Sequence, residues 1–305
     1  MIDPPDWLSP DESYLVGISG GHDSIALHHW LVGHHFQNLT YCHLNHGLRG
    51  NESDEDEEFL RELLGSNLIA GHTDVADLAE REKLSLETAA REARHCFFQE
   101  CARSTGIPRV LLAHHADDLA ETILFNLLRG SGGPKGMQAR SEIDGLLFLR
   151  PLLEARRTEI SEFLSQHDFT FREDSSNTEA FAARNRLRHE AIPLLTDILK
   201  RDPVPALIRA GQITRDLEAI VDATFSLEQF LDPQQRIHLP SFRELSLPLQ
   251  RHALRIFLLK HEIPEITAEL IRNAQSLAST DSPPSINLPG GLRLRRKESR
   301  LFISP

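Results

Sequence analysis

The sequence predicts an α/β protein: a doubly wound, mostly parallel sheet, then a helical connector and a small α+β C-terminal domain. Three observations carry that prediction. Short apolar runs alternate with helical patterns through the first half of the chain, as βαβ units with helices on both faces of a parallel sheet require. A glycine-rich turn stands between the first apolar run and the first helix. Beyond Leu149 the alternation gives way to successive helical segments.

The elements follow in order. Tyr14-Leu15-Val16-Gly17-Ile18 reads as a buried strand, with a helix from about Asp23 to His34. A second strand spans Leu39 to Leu44, and a third Leu68 to Ala70. A helix with Ser85 as its N-cap runs to about Ser104, where Thr105-Gly106-Ile107-Pro108 ends it. A fourth strand, Val110 to Ala113, enters a helix from about Asp117 to Leu128. Residues 156–167, 180–199 and 205–231 read as helices, the last with Ile208, Ile213, Leu217, Ile220 and Val221 near helical spacing. Two more are expected at 248–261 and 267–278. Short strands around a glycine turn close the chain at 286–288, 290–294 and 301–303. The expected division places the sheet in residues 1–200 and the connector with the small domain in 201–305.

Composition narrows the function classes. A chain of 305 residues, 40% hydrophobic and 26% charged, has enough core for two domains and is wrong for disorder. No apolar run reaches the ~18 residues that span a bilayer. The opening MIDPPDWLSPDESY carries acids and prolines where a signal peptide carries Lys/Arg and then an apolar run, so a cytoplasmic protein without a membrane partner is expected. Cys42, Cys96 and Cys101 are too few and wrongly spaced for a disulfide framework, a structural zinc site or an iron–sulfur cluster. The net charge of −12 hides an asymmetry. Residues 1–200 hold 19 Lys/Arg against 33 Asp/Glu, helped by the acidic run at 51–58, while residues 201–305 hold 14 against 12. Basic residues cluster at 184–188 and 293–297, so a phosphate-bearing partner stays open.

The most informative residues are Ser19-Gly20-Gly21-His22-Asp23-Ser24, at the C-terminal end of the first strand and the start of its helix. Glycines let the backbone approach a ligand, and the helix N-terminus offers donors and positive charge to an anion. The Ser19 and Ser24 hydroxyls can add hydrogen bonds to phosphate oxygens. No Gly-Lys-Ser/Thr follows, so this is not a Walker A loop. A plain capped Gly-Gly turn is the bland alternative, but the position on the ligand edge of an α/β sheet favours anion binding.

Four further stretches gather chemistry at the same edge. His43-Leu44-Asn45-His46-Gly47-Leu48-Arg49 ends the second strand, and Arg91 and Arg94 stand three apart on a helix. His114-His115-Ala116-Asp117-Asp118-Leu119-Ala120-Glu121-Thr122 leaves the fourth strand; Asp118, Glu121 and Thr122 share one helix face, and Leu119, Ile123 and Leu127 another. Asn126 through Gly132 turns out of that helix. Singly, each is as well explained by a satisfied loop histidine, a solvated arginine or an acidic helix N-terminus. Together they put arginines, carboxylates and histidines beside an anion loop. A mononuclear metal hydrolase is a rival reading, but no open zinc-like ligand spacing supports it.

The loop resembles the pyrophosphate loop, SGGxDS, of the PP-loop ATP pyrophosphatase superfamily, whose fold is Rossmann-like. That superfamily cleaves ATP between the α- and β-phosphates and adenylates a poorly reactive oxygen, from which a nucleophile displaces AMP. Over about residues 14–195 the chain is similar to the tRNA(Ile)-lysidine synthetase family. The similarity runs through SGGHDS, HLNHGLRGNESDEDEEF, ETAAREARHCFF and LAHHADDLAETILFNLLRGSG. It continues through Arg150-Pro151-Leu152-Leu153, Arg157-Thr158-Glu159-Ile160, Asp174-Ser175-Ser176-Asn177 and Arg184-Asn185-Arg186-Leu187-Arg188. His95 stands where Tyr is common in that family, and Leu119 where Gln is common.

The resemblance implies a cytoplasmic tRNA-modifying ligase. It would join L-lysine to C2 of the wobble cytidine of tRNA(Ile) with a CAU anticodon, converting ATP to AMP and diphosphate with Mg²⁺ and changing codon choice from AUG to AUA. A homodimer is among the expectations. Ser19, Gly20, Gly21, His22, Asp23, Ser24 and Arg91 are then expected at ATP, with Asp23 also at the metal. Arg94 is expected at the α-phosphate, and Asp118 and Glu121 at the lysine ammonium. One of those two carboxylates, or His114, takes the proton. His46, Arg49, Asp117, Asn126 and Arg129 are expected at the substrate. Arg184, Arg186 and Arg188 are expected at tRNA phosphates, together with the 293–297 segment, for which a salt-bridged face is an equal alternative. The nearest competing activity is a cytidine or uridine thiolase, which needs catalytic or cluster cysteines. A non-catalytic nucleotide sensor or RNA-binding protein is the competitor from a different class.

Overall fold

Tyr14–Gly17 (β1) is apolar on both faces, as a strand covered by helices on each side must be, and it lies inside a six-stranded sheet. A computed structural model describes residues 2–48, 50–129, 134–172, 182–264, 266–279 and 282–305. Arg49, the Gly130-Ser131-Gly132 turn and Asp174-Ser175-Ser176-Asn177 lie outside the described residues. After β1 come His22–Gly33 (α1), Leu39–Asn45 (β2), Asn51–Leu64 (α2), Leu68–His72 (β3), Val75–Glu82 (α3) and Leu86–Thr105 (α4). Arg109–Leu111 (β4), Ala116–Arg129 (α5), Arg140–Ile143 (β5), Leu146–Leu149 (β6) and Arg157–Gln166 (α6) follow. The strand order is β3-β2-β1-β4-β6-β5, parallel throughout except for β5, which pairs antiparallel with β6. The doubly wound, mostly parallel sheet is as the sequence predicts.

The chain forms two compact units, Met1–Thr122 with Gly136–Ile208, and Ile123–Lys135 with Arg209–Pro305. In the first, Ile25, Leu27, Trp30 and Leu31 of α1 pack with Val16 and Leu111 on one side of the sheet. Phe98 and Cys101 of α4 pack with Leu15, Val110 and Phe148 in a second cluster. Ser85 caps α4 as expected, its Oγ accepting from the Thr88 N–H at 3.2 Å.

Several elements escape the pattern reading. The acidic run at 51–58 opens α2: its acids stand at the positive end of the helix dipole, while Leu60 and Leu64 bury the other face. Short α3 and the β5–β6 hairpin also form. The helix expected over 180–199 is three pieces, Ala182–Arg186 (α7), a π-helical turn at Leu187–Ala191, and Ile192–Leu199 (α8). The one expected over 205–231 is Val204–Thr224 (α9), after which the chain turns to bury Leu227.

In the second unit, Ile237–His238 (β7), Leu239–Glu244 (α10), Leu247–Lys260 (α11), Ala268–Ser276 (α12), Ser285–Asn287 (β8), Arg293–Lys297 (β9) and Arg300–Ser304 (β10) complete the chain. The strands form an antiparallel sheet in the order β7-β10-β9-β8 over a core of Phe242, Leu254, Phe257, Leu294 and Leu301. This is the small α+β domain expected after the connector.

Close approach constrains Gly17, the last residue of β1. A Cβ on Gly17 would fall 2.9 Å from Leu112 Cδ2 and 2.9 Å from Phe98 Cζ, both in packed surroundings. Gly17→Ala is expected to cost ~1–3 kcal/mol of stability by overpacking, read as a lower denaturant midpoint with an unchanged slope; an unaltered midpoint would show that the sheet yields there freely.

Candidate functional site

The loop between β1 and α1 is held by its own side chains. The Ser19 N–H donates to Ser24 Oγ at 3.2 Å, Ser24 Oγ donates to the Gly21 carbonyl at 2.9 Å, and the two hydroxyls lie 3.1 Å apart. Gly20 sits at φ +85°, a conformation that side-chain-bearing residues rarely adopt. Gly21, immediately before α1, has no side chain to cap the helix, so the first-turn donors are not met by one. Arg172 flanks the loop: its N–H donates to the Gly20 carbonyl at 2.9 Å, and its guanidinium is anchored to Asp56 at 3.0 Å and Glu55 at 2.6 Å. Phe171 meets the His22 ring edge-on.

Asp23, on the first turn of α1, connects this loop to the end of β4. Its Oδ1 accepts from His22 Nδ1 at 2.7 Å, and its Oδ2 lies 3.4 Å from His115 Nε2. His115 is fully buried, at 0% exposure, with Nε2 also 3.4 Å from Asp118 Oδ2 and Nδ1 3.8 Å from Asp117 Oδ2. Burial alone would deprotonate it, but Asp23, Asp118 and Asp117 together raise its pKa above the ordinary histidine value. Burial likewise opposes ionisation of Asp23, yet the His115 and His22 rings hold its carboxyl well below the usual carboxylate range. His114 behaves oppositely: burial, helped by the charges of Arg150 and Arg94, pushes it down to about 4 although Asp118 pulls upward, so it is a neutral imidazole.

Asp117 and Asp118 diverge. Asp117 accepts from Arg156 Nε at 3.1 Å and Nη2 at 2.8 Å, and from the Arg157 N–H at 2.8 Å, while Arg156 also reaches Asp202. Asp117, expected at the substrate, fastens the start of α6 through these bonds. Asp118 Oδ2 accepts the His115 N–H at 3.0 Å. Glu121, one turn on, is 4% exposed, and burial raises its carboxyl above the ordinary value although Arg188 pulls it back.

The three arginines read as phosphate contacts separate. Arg188 is not a free surface cation: its Nε donates to Glu121 Oε1 at 2.6 Å and its Nη2 to Asp118 Oδ1 at 2.7 Å. Arg184 lies 3.3 Å from Glu87 of α4, and Arg186 pairs with Glu190 at the surface. Arg91 and Arg94 are exposed on α4, and His46 follows β2, its carbonyl accepting from the Val75 N–H at 3.3 Å. In the second unit the Asn126 amide donates to the Lys135 carbonyl at 2.7 Å, and the Arg129 guanidinium lies 5.3 Å from the Phe125 ring centre. On β9 and β10, Arg296 donates to the Leu277 carbonyl at 3.1 Å and Arg300 to Asp232 at 3.0 Å, so part of the basic C-terminal segment is internal. Among the described residues no three His, Cys, Asp or Glu are grouped to hold a metal, and no helix is long and apolar enough to cross a membrane.

Pattern reading missed Arg156 and Arg172, and it named His115 without assigning it a role. The only signal was indirect: His115 directly follows a buried strand, and the two arginines are paired across 39 and 116 residues of sequence.

Comparison with known proteins follows the two units. The family described as PP-loop domain matches residues 3–195, and the TilS substrate binding domain matches residues 237–302. The tRNA(Ile)-lysidine synthase of Geobacter sulfurreducens is 41% identical over 218 residues, 70% of this chain and 46% of that protein. The tRNA(Ile)-lysidine synthase of Thermus thermophilus is 35% identical over 309 residues, 98% of this chain and 58% of that protein. The chain thus spans about half the length of these curated relatives. Among solved structures, the U34-tRNA thiolase NcsA from Methanococcus maripaludis, with its [4Fe-4S] cluster, aligns with TM-score 0.56 at 15% identity, covering 69% of this chain and 74% of that one, which is a likeness of fold.

The Asp117–Arg156 clamp predicts an acid-sensitive contribution to stability. Burial raises the Asp117 carboxyl, but Arg156 and the Arg157 N–H outweigh it and leave the folded pKa below the ordinary value. The stabilisation is therefore complete above the unfolded value, ~3.9, and disappears as pH falls through the folded one. Asp117→Asn is expected to be clearly less stable than the unchanged protein at neutral pH, with the gap closing below about pH 4 in denaturant titrations across pH. A gap that stayed constant into strong acid would contradict the assignment.

Proposed function

Since the chain belongs to the tRNA(Ile)-lysidine synthase family, we propose that it uses ATP to join L-lysine to C2 of the wobble cytidine of tRNA(Ile) bearing a CAU anticodon. The product is lysidine, and the decoded codon changes from AUG to AUA. One observation carries the reading: through His115, an anion loop and a carboxylate pair form one cluster, so phosphates and an ammonium have neighbouring places. The domain roles follow the same proposal, with residues 1–200 binding ATP and catalysing and residues 201–305 contacting tRNA. Self-association as a homodimer rests on family resemblance alone, and a cytoplasmic location on that resemblance and the composition of the opening residues.

The chemical problem is a poor electrophile with a poor leaving group. Attack of the cytidine O2 on the α-phosphorus of ATP releases diphosphate and makes that oxygen part of AMP. Attack of the lysine ε-nitrogen on C2 then expels AMP. Ser19, Gly20, Gly21, His22 and Ser24 would receive the departing diphosphate at the helix N-terminus. Arg94, with Arg91 beside it on α4, would stabilise charge on the α-phosphate and then on AMP. A Mg²⁺ ion needs only a carboxylate or two besides phosphates and water. Asp23, held ionised and partly exposed, fits that need and is the residue that would hold it; the ion would neutralise charge on the phosphates.

Free lysine arrives as an ammonium, because its ordinary pKa is ~10.4. Asp118 and Glu121 would bind that cation. Asp118, Glu121 or His114 would take its proton; His114 Nδ1 has no hydrogen-bond partner among the described residues, although burial makes that ring a weak base. His46 is proposed at the base. Arg184, Arg186 and the exposed β9 cations are proposed at phosphates, which position the tRNA without reading it. Asn126 and Arg129 stay in the proposal as substrate contacts from the end of α5.

A thiolase is the less favoured reading. Cys42 and Cys101 are buried, Cys96 is alone at the surface, and the second unit matches a lysidine synthase substrate domain.

Incubation with labelled lysine, ATP and tRNA transcripts differing only at the wobble base is expected to label the CAU transcript alone; labelling of all transcripts, or none, would contradict the substrate assignment. Asp118→Asn should abolish lysine transfer with little effect on tRNA affinity, and near-normal turnover would remove Asp118 from the site. Arg94→Ala should block diphosphate release from ATP in tRNA-containing reactions without lysine, whereas intact release would place the α-phosphate elsewhere.

A further inference from the structure

All four oxygens of the Asp118–Glu121 pair are already occupied from within the chain. Arg188 donates to Glu121 Oε1 at 2.6 Å, to Glu121 Oε2 at 3.1 Å and to Asp118 Oδ1 at 2.7 Å. The fourth oxygen, Asp118 Oδ2, accepts the His115 N–H at 3.0 Å. An ammonium brings three donors and no acceptor, so it needs these same oxygens. Arg188 already supplies the pair's counter-charge and bonds three of its four oxygens, so an entering ammonium competes with it for the same place.

Simple departure of Arg188 would be unfavourable, since it would leave Glu121, at 4% exposure, as a buried charge without its partner. Exchange of one cation for another avoids that penalty. Arg188 is placed for such exchange: its side chain is 28% exposed and so has a route to solvent. It is carried by the π-helical turn at Leu187–Ala191 rather than by regular α-helix, and π turns interrupt helices most often where function requires a particular side-chain placement.

We infer that Arg188 is a built-in competitor for the substrate amine: it fills the Asp118–Glu121 pair when substrate is absent, and the ammonium enters by displacing it. This rests on the reading that the pair holds the lysine amine. It makes Arg188 a specificity-determining residue, because an entering cation must replace three charge-assisted hydrogen bonds instead of filling an open pocket. A quaternary ammonium, which has no N–H donor, fails that requirement. The displaced guanidinium keeps its charge and its fork of donors, and so becomes available to a phosphate.

Calorimetric titration of L-lysine into the tRNA-free protein with a non-hydrolysable ATP analogue tests this. Arg188→Ala is expected to bind lysine at least about tenfold more tightly than the unchanged protein. Millimolar guanidinium should compete with lysine in the variant, where it can refill the vacated place, and not in the unchanged protein. Should the alanine variant fail to fold, Arg188→Gln, which removes the charge and keeps most of the length, gives the same comparison. Unchanged or weaker lysine binding in the folded variant overturns the inference. Asp118→Asn separates this failure from that of the reading beneath it. Lysine binding undiminished by Asp118→Asn means the pair is not the amine site, whereas binding lost there but not strengthened in Arg188→Ala removes only the competitor.

Discussion

The site depends on a histidine buried among carboxylates. His115 has no exposed surface, yet three acidic side chains stand within 3.8 Å of its ring nitrogens. Against the pull of burial, Asp23, Asp118 and Asp117 raise its pKa above the ordinary histidine value. Because Asp23 belongs to α1 and Asp117 and Asp118 to α5, this one ring joins the helix that follows the glycine loop to the helix that carries Asp118 and Glu121.

The other cations divide the remaining work. Arg156 locks Asp117 into the fold, leaving Asp118 and Glu121 as the pair that Arg188 covers. Neighbouring aspartates with the same chemistry thus serve different ends, and the difference lies in which arginine each one meets. His114, adjacent in sequence to His115, faces a less acidic surrounding and stays neutral.

Much of this was legible locally. The Ser19–Ser24 loop declares itself because its strand, its glycines and its helix are contiguous, and the alternation of apolar runs with helical patterns is enough to give the parallel sheet. The Ser85 cap was visible for the same reason. What stayed hidden was either masked or distant. Eight residues dense in acids obscured the apolar face of α2. The π-helical turn has no compositional mark. The pairing of Arg188 with Glu121 spans 67 residues, so a run of arginines that reads as a basic surface patch is in part the counter-charge of carboxylates on α5. Arg296 and Arg300 repeat the lesson in the second unit, where alternation within β9 and β10 says which side chains turn inward but not which carbonyls or acids they meet.

The central claim is that the glycine loop and the carboxylate pair serve one two-step reaction. Phosphorus NMR of a reaction containing ATP and the CAU transcript, followed first without lysine and then after its addition, tests that claim most directly. Diphosphate should form first, in an amount matching the tRNA, and AMP should appear only when lysine is supplied. Formation of ADP and orthophosphate, or release of AMP in step with diphosphate before any lysine is present, would contradict it.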